Sequence, residues 1–429
     1  MNRRQLIHRL ALAAGAYSLP RFTPEAFAQT SFNGKLLVAF QARGGWDPSS
    51  FCDPKKNVSG EKIITNWSTA GDIQTAGNLS YAPFAANKTF FDKYYSRTLV
   101  INGVDMQTNA HDTGILSCWS GRTALGYPTI TSMYAATMAP TLALSYLNFG
   151  GYGYTAGLIN STRISNPDLI RNVIYPNLME SADQNFLDDA DYQRIQALQL
   201  QNMQQLAADT KVLPADKRDR QNMLNSMMNA DSLKAFGSLI PSGSALQAVR
   251  KVNTTNTQST VHQQIQMMLL AFKSGLTVAA DLFDQGFDTH DKHDTEQALA
   301  LANVTDAIDY LWTYAETLGL ADRLLVVVGS DFARTPYYNI GDGKDHWPIG
   351  SYVIMEKNAG YTNRSIGETD SVQGARIINP TTMTRNDSSG TIIYSKHVHL
   401  ALRKYLGINS SSAAQNFPLT NTEDFKFFG

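Results

Sequence analysis

Four apolar runs, each closing on an aspartate with a glycine just before it, narrow the choice of fold more than any other feature of this chain. They are KLLVAFQARGGWD (Lys35 to Asp47), TLVINGVD (Thr98 to Asp105), LTVAADLFDQGFD and LLVVVGSD. Their apolar residues are continuous rather than alternating, which is the pattern of strands covered on both faces. Helical patterns fall between them: one around Gly114 to Ser120, HQQIQMMLLAFKSG with Gly275 at its end, and Glu296 to Gly319 with Ile308, Leu311, Trp312 and Ala315 on one side. A further strand, SYVIM (Ser351 to Met355), and a closing helix, HVHLALRKYLG with Gly407 as its stop, complete the series. Strands alternating with helices predict an α/β fold, a mainly parallel sheet sandwiched between helices.

The chain has 429 residues, enough for one elaborated domain over residues 29–429. Residues 183–259 break the alternation: a Ser/Thr/Asn-rich connecting loop over Ser238 to Gln258 is preceded, from Asp183 to Gly237, by a Gln-, Asn- and Met-rich stretch. Its apolar steps of three and four predict a helical insertion of two or three helices, broken at Pro214. A net charge of -1 gives no electrostatic footprint for nucleic acid or an anionic membrane. No later run reaches the roughly 18 apolar residues of a membrane span.

Residues 1–28 read as an export signal: paired Arg3 and Arg4, an apolar stretch from Leu10 to Leu19, and Ala26-Phe27-Ala28 as the cleavage motif. The RRQLI core is of the twin-arginine kind, so the expected partner during export is the twin-arginine translocase and the expected location periplasmic or secreted. In that compartment Cys52 and Cys118 could form one bridge, or stay as two small buried apolar residues.

Sheets of this kind carry their functional groups past the carboxyl ends of the strands. Asp47, Asp288 with His290, Asp331 followed by His346, and His111 with Asp112 all fall there. Each Asp has a plain alternative as a turn former or helix cap, and FDTHDKHD could be a polar turn capped by Asp294 or Thr295. Taken together, carboxylates and imidazoles gathered at one edge form a ligand set for zinc or manganese without thiolate. No G-x-S-x-G elbow and no G-x-x-x-x-G-K-[ST] loop offers another chemistry.

The twin-arginine signal, LLVAFQARGGWD, GFDTHDKH and VVVGSDFARTPYYNIGDGKDHW together resemble family 1501 of domains of unknown function, a branch similar to the alkaline phosphatase and sulfatase superfamily. The resemblance covers the mature chain, with residues 183–259 matching only loosely. It implies a two-metal site on Asp47, Asp288 with His290 or His293, Asp331 and His346, holding zinc, manganese or calcium. Two departures stand out: Phe332 replaces the histidine expected after Asp331, and the nucleophile position, ten residues before Gly121, is His111 with only Thr113 and Cys118 nearby. His111 could be a metal ligand, a nucleophilic imidazole or a relic, while a metal-activated water would need no side-chain nucleophile. Arg122 or Arg334 could steady an anionic transition state, or sit in ordinary ion pairs.

Two functions follow. One is an exported metal-dependent hydrolase of phosphate or sulfate esters, with a small anionic ester as substrate and the insertion capping the pocket. The other is a catalytically inactive envelope protein that keeps the fold for binding or assembly.

Overall fold

The computed structural model describes residues 32–69, 71–164, 174–179, 184–229, 233, 236–241 and 243–429. The expected export signal lies outside the described residues. Strands are named here in chain order: β1 Leu36–Arg43, β2 Thr98–Asp105, β3 Tyr146–Asn148, β4 Thr162–Arg163, β5 Ala279–Gln285, β6 Leu324–Gly329, β7 Ala333–Arg334, β8 His346–Trp347, β9 Ile349–Glu356, β10 Arg364–Ile366 and β11 Ile393–Tyr394. Nine of them form one sheet in the order β10-β2-β9-β6-β1-β5-β3-β4, with β11 also pairing β2; β7 and β8 make a separate two-stranded pair.

Only β9 runs against the others in that sheet. The apolar runs account for this arrangement. Every residue of β6 and β9 is buried, and so is every residue of β1 except Arg43. Strands without a solvent face require helices on both sides of the sheet.

Those helices fall into two groups. One contains α1 Asn87–Tyr94, α6 Val261–Lys273 and α7 His293–Leu318; the other contains α2 His111–Ser120, α3 Ile130–Met138 and α8 Ser395–Tyr405. In α7, Ile308, Leu311, Trp312 and Ala315 are buried as their spacing predicts. The helix begins at His293, ahead of the expected caps, and Asp294 instead accepts a hydrogen bond from the Tyr338 hydroxyl at 2.6 Å.

The insertion forms α4 Asp189–Ala208 and α5 Pro214–Met228, with Pro214 opening the second helix, where its missing N–H costs nothing. No residue of either helix is buried. Among the described residues, α5 and the residue after it bond to Asn160 and the Thr141 carbonyl, while residues 247–254 of the insertion bond to Gln266, Asp306 and Glu296; none of these bonds reaches the candidate site.

Cys52 and Cys118 are both buried and unbridged. Cys52 lies beside Asn102 of β2, whereas Cys118 of α2 packs under Gly329 of β6. No helix among the described residues is long and apolar enough to cross a membrane.

Candidate metal centre

Because β1, β2, β5 and β6 run the same way, their carboxyl ends and following loops share one edge. The chain leaves β1 through Gly44, whose φ of +118° belongs to glycine; a Cβ there would stand 2.5 Å from the Asp288 nitrogen. The turn after β1 can therefore lie directly against the segment after β5. Asp331, at the end of β6, fixes that turn. Its Oδ1 accepts from the Gly44 and Gly45 amides at 2.9 and 2.8 Å, and its Oδ2 lies 2.5 Å from His111 Nδ1. Helix α2 comes this close because Gly114 has no side chain: a Cβ would meet the Asp331 carbonyl oxygen at 2.4 Å.

Three imidazoles converge on Asp288. His111 Nε2 is 3.4 Å from Oδ2, while His290 Nε2 and His346 Nε2 are 3.1 and 3.4 Å from Oδ1. His111, Asp288 and His346 each place one ligand atom within 4.8 Å of the others. His290 joins them through His346, at 3.0 Å between the two Nε2 atoms.

The opposite nitrogen of each ring faces an oxygen. Nδ1 of His111 meets Asp331 Oδ2, Nδ1 of His290 meets Asp345 Oδ1 at 3.0 Å, and Nδ1 of His346 meets the Asn109 carbonyl at 2.7 Å. A carbonyl can only accept, so His346 donates from Nδ1 and turns its Nε2 lone pair inward. The carboxylates favour the same tautomer for the other two rings. Metal-bound histidines are held in this way, by an outer oxygen on the nitrogen away from the ion.

The electrostatics agree with a cation. Asp288, Asp331 and Asp345 face one guanidinium, Arg334, so neutral imidazoles leave two negative charges, the complement of one divalent ion. Without an ion, protons take up part of that charge. Hydrogen bonds to Asp288 and Asp331 push the His111 pKa up to about 9, whereas burial pushes His346 down. Burial would raise Asp288, but hydrogen bonds from His111 and Arg334 outweigh it and hold this carboxylate well below its ordinary range. His111 Nε2 is also buried, and its one polar contact, Asp288 Oδ2 at 3.4 Å, is long and poorly aligned, a deficit that a metal–nitrogen bond would remove. The donor set of His111, Asp288, His346 and adjacent His290 fits one ion of the zinc or manganese class.

The remaining residues expected at the site lie elsewhere. Asp47 and His293 are fully buried; Asp47 pairs with His293 at 3.0 Å and with Lys344 at 2.7 Å, outside the imidazole cluster. Asp331 has its oxygens committed to the β1 turn and to His111, so it supports a ligand. Arg334 is buried and donates to the carbonyls of Gly44, Gly45 and Lys344 and, at 2.7 Å, to Asp288. It braces the turn and the Asp288 carboxylate. Arg122 stacks over Tyr127, 5.1 Å from its ring, and takes no part in the cluster. Phe332 fills one wall, its ring 4.6 Å from His111 and 4.5 Å from His346.

Asn109, Lys344 and Asp345 have no counterpart among the residues expected from sequence. Lys344 and Asp345 lie in a polar loop, GDGKDHW, where composition suggests only solvated charge, and Asn109 acts through its backbone. Arg43 is a further addition. It is exposed at the end of β1 and lines a narrow cleft with Asp331 and with Ile115, one turn along α2 from His111. A larger cavity of about 300 Å³ abuts Asp345, walled by Tyr337, Tyr338 and Trp347.

Among solved structures, the chain is similar to Ps i-CgsB (8% identity over 91% of this chain and 75% of that one, TM-score 0.42). It is also similar to the PsFucS1 sulfatase from Pseudoalteromonas sp. (9%, 92% and 71%, TM-score 0.38). A third similar structure is the phosphonate monoester hydrolase of Agrobacterium radiobacter (10%, 87% and 74%, TM-score 0.35). No curated protein matches the sequence. At such low identities function has to be argued from the site itself. A family model described as "Protein of unknown function (DUF1501)" matches residues 92–393, most of the chain, and the protein belongs to that family.

Proposed function

We propose that this protein is an exported, metal-dependent hydrolase of phosphate or sulfate esters, working outside the cytoplasm. One observation carries the reading: three histidines, each with Nδ1 against an oxygen, turn their Nε2 atoms onto a single carboxylate. His111, Asp288 and His346, with His290 beside them, would hold the ion. When bound, a divalent ion supplies Lewis acidity toward an ester oxygen and can bring the pKa of water to about 7.

The chain's own residues supply the rest. Asp331, Asp345 and the Asn109 carbonyl fix the ring orientations. Arg334 keeps Asp288 ionised and facing the rings. Arg43, exposed at the same edge and without an ion pair among the described residues, is placed to meet the anionic group of a substrate. The aromatic cavity beyond Asp345 offers room for the alcohol part of the ester. His111 is directed at Asp288, which favours a ligand's role over a nucleophile's.

The test is metal analysis of protein purified without chelator, followed by assays with aryl phosphate and aryl sulfate in added zinc, manganese or calcium. Bound metal and turnover that both fall in Asp288→Asn support the reading. Absence of metal and of turnover in all three ions would end it. A second reading, a non-catalytic envelope protein that keeps the fold and its ion, draws on Phe332: its ring closes one side of the centre with carbon where a further ligand could stand. Metal without turnover on either ester class would favour that second reading.

A further inference from the structure

We infer that the Lys344 ammonium stands in for a second cation beside Asp47, so that this chain carries one divalent ion where its resemblance implies two. The inference builds on the metal reading of the Asp288 cluster but concerns different residues. Asp47 and Lys344 have no exposed side-chain surface, and Nζ lies 2.7 Å from Oδ2. The same Oδ2 meets His293 Nε2 at 3.0 Å and the Ser50 hydroxyl at 3.1 Å. Oδ1 accepts from the Ser49 amide and hydroxyl at 2.9 and 2.6 Å. With the ammonium in place these five donors leave the carboxylate no free lone pair for an ion; the two serine hydroxyls among them can rotate away, but the ammonium cannot.

The local charge balance leads to the same conclusion. Lys344 neutralises Asp47, and the His293 imidazole donates from Nε2 to Asp47 while its Nδ1 accepts from the Thr289 hydroxyl at 2.7 Å, the pattern of a neutral ring. A divalent ion added here would meet an ammonium inside a buried shell that is already neutral. Removal of the lysine side chain reverses the situation: a buried carboxylate, an imidazole and two serine hydroxyls would then surround an unneutralised negative charge. Oxygen and nitrogen donors of that kind suit a divalent cation. Lys344 also directly precedes Asp345 and His346, and its amide donates to the Thr289 carbonyl at 3.0 Å. The internal cation therefore also anchors the loop that presents two residues of the metal centre.

The experiment counts ions. Native protein and Lys344→Ala are equilibrated with Mn²⁺ or Zn²⁺, and bound metal per chain is measured together with the thermal midpoint. The native chain should bind one ion. Lys344→Ala should bind one more than native, and its lowered midpoint should recover on adding metal by a larger shift than native shows. Two ions in the native chain, or the same count in both proteins, would overturn the inference. If Lys344→Ala does not fold, the double variant Asp47→Asn/Lys344→Met removes both charges. It should keep the native metal count, and loss of an ion from it would also overturn the inference. A native chain with no metal would fail the Asp288 reading instead, while the gain of one ion in Lys344→Ala would still report on Lys344.

Discussion

His290 Nε2 and His346 Nε2 lie 3.0 Å apart, although each ring has its other nitrogen against an oxygen. Two inward lone pairs at that separation repel unless a proton or a metal ion lies between or beside them. The outer oxygens, then, set the affinity of the centre as much as the ligands do. Asp345→Asn keeps the shape of the His290 partner but weakens its pull on Nδ1. The expected outcome is a fall in metal affinity of about 10- to 100-fold with little change in fold, since Asp345 is exposed. Calorimetric titration of metal into the stripped protein measures it.

Arg43 tests the proposed substrate site independently of the metal. Its guanidinium makes no ion pair among the described residues, so Arg43→Ala should leave metal content and thermal midpoint unchanged. Loss of a charge-assisted hydrogen bond to an anionic group, about 1.5–3 kcal/mol, should raise KM by about 10- to 100-fold. Steady-state kinetics with the aryl ester that turns over would show it, and an unchanged KM would remove Arg43 from the site.

Gly114 is where helix α2 touches the end of β6. Gly114→Ala would place a methyl 2.4 Å from the Asp331 carbonyl oxygen, backbone that cannot swing aside. Despite the better helix propensity of alanine, the variant should lose about 1–3 kcal/mol of stability. It should also bind metal more weakly, because His111 moves with the helix. Denaturant unfolding and metal titration read the two effects separately.

Away from the centre, Asp281 gives a pH signature. Burial pushes its pKa up to about 7, although hydrogen bonds from Thr131 at 2.6 Å and Tyr146 at 2.5 Å work the other way. The folded value lies above the ordinary unfolded value of about 3.9, so between those limits the folded state holds the extra proton. Stability from this group is therefore fully present below pH ~4 and is lost as pH rises toward 7, by up to about 1.4 kcal/mol per pH unit. Asp281→Asn should flatten that part of the stability profile, as followed by thermal midpoints from pH 4 to 8.

Much of the fold was legible in order of residues alone. LLVAF, TLVIN and LLVVV could only be strands covered on both faces, and the helical runs between them had to lie on the sheet. That argument also placed Asp288, His290, Asp331, His346 and His111 at one edge, because parallel strands end together. The short strands Tyr146–Asn148, Thr162–Arg163, Arg364–Ile366 and Ile393–Tyr394 escaped it: two or three residues give no period, and only the neighbouring strand's unpaired backbone recruits them. Tertiary structure alone decided which side chains at that edge meet. Asp47 and Asp331 both follow a strand, yet one is neutralised by a buried lysine and the other holds a turn and a histidine. Linear order specifies where a strand stops, but the donors that set the two carboxylates apart, Lys344 and His293 on Asp47 and His111 with the Gly44 and Gly45 amides on Asp331, come from segments hundreds of residues away. Lys344 is 297 residues from Asp47, and the sequence alone carries no sign of that contact.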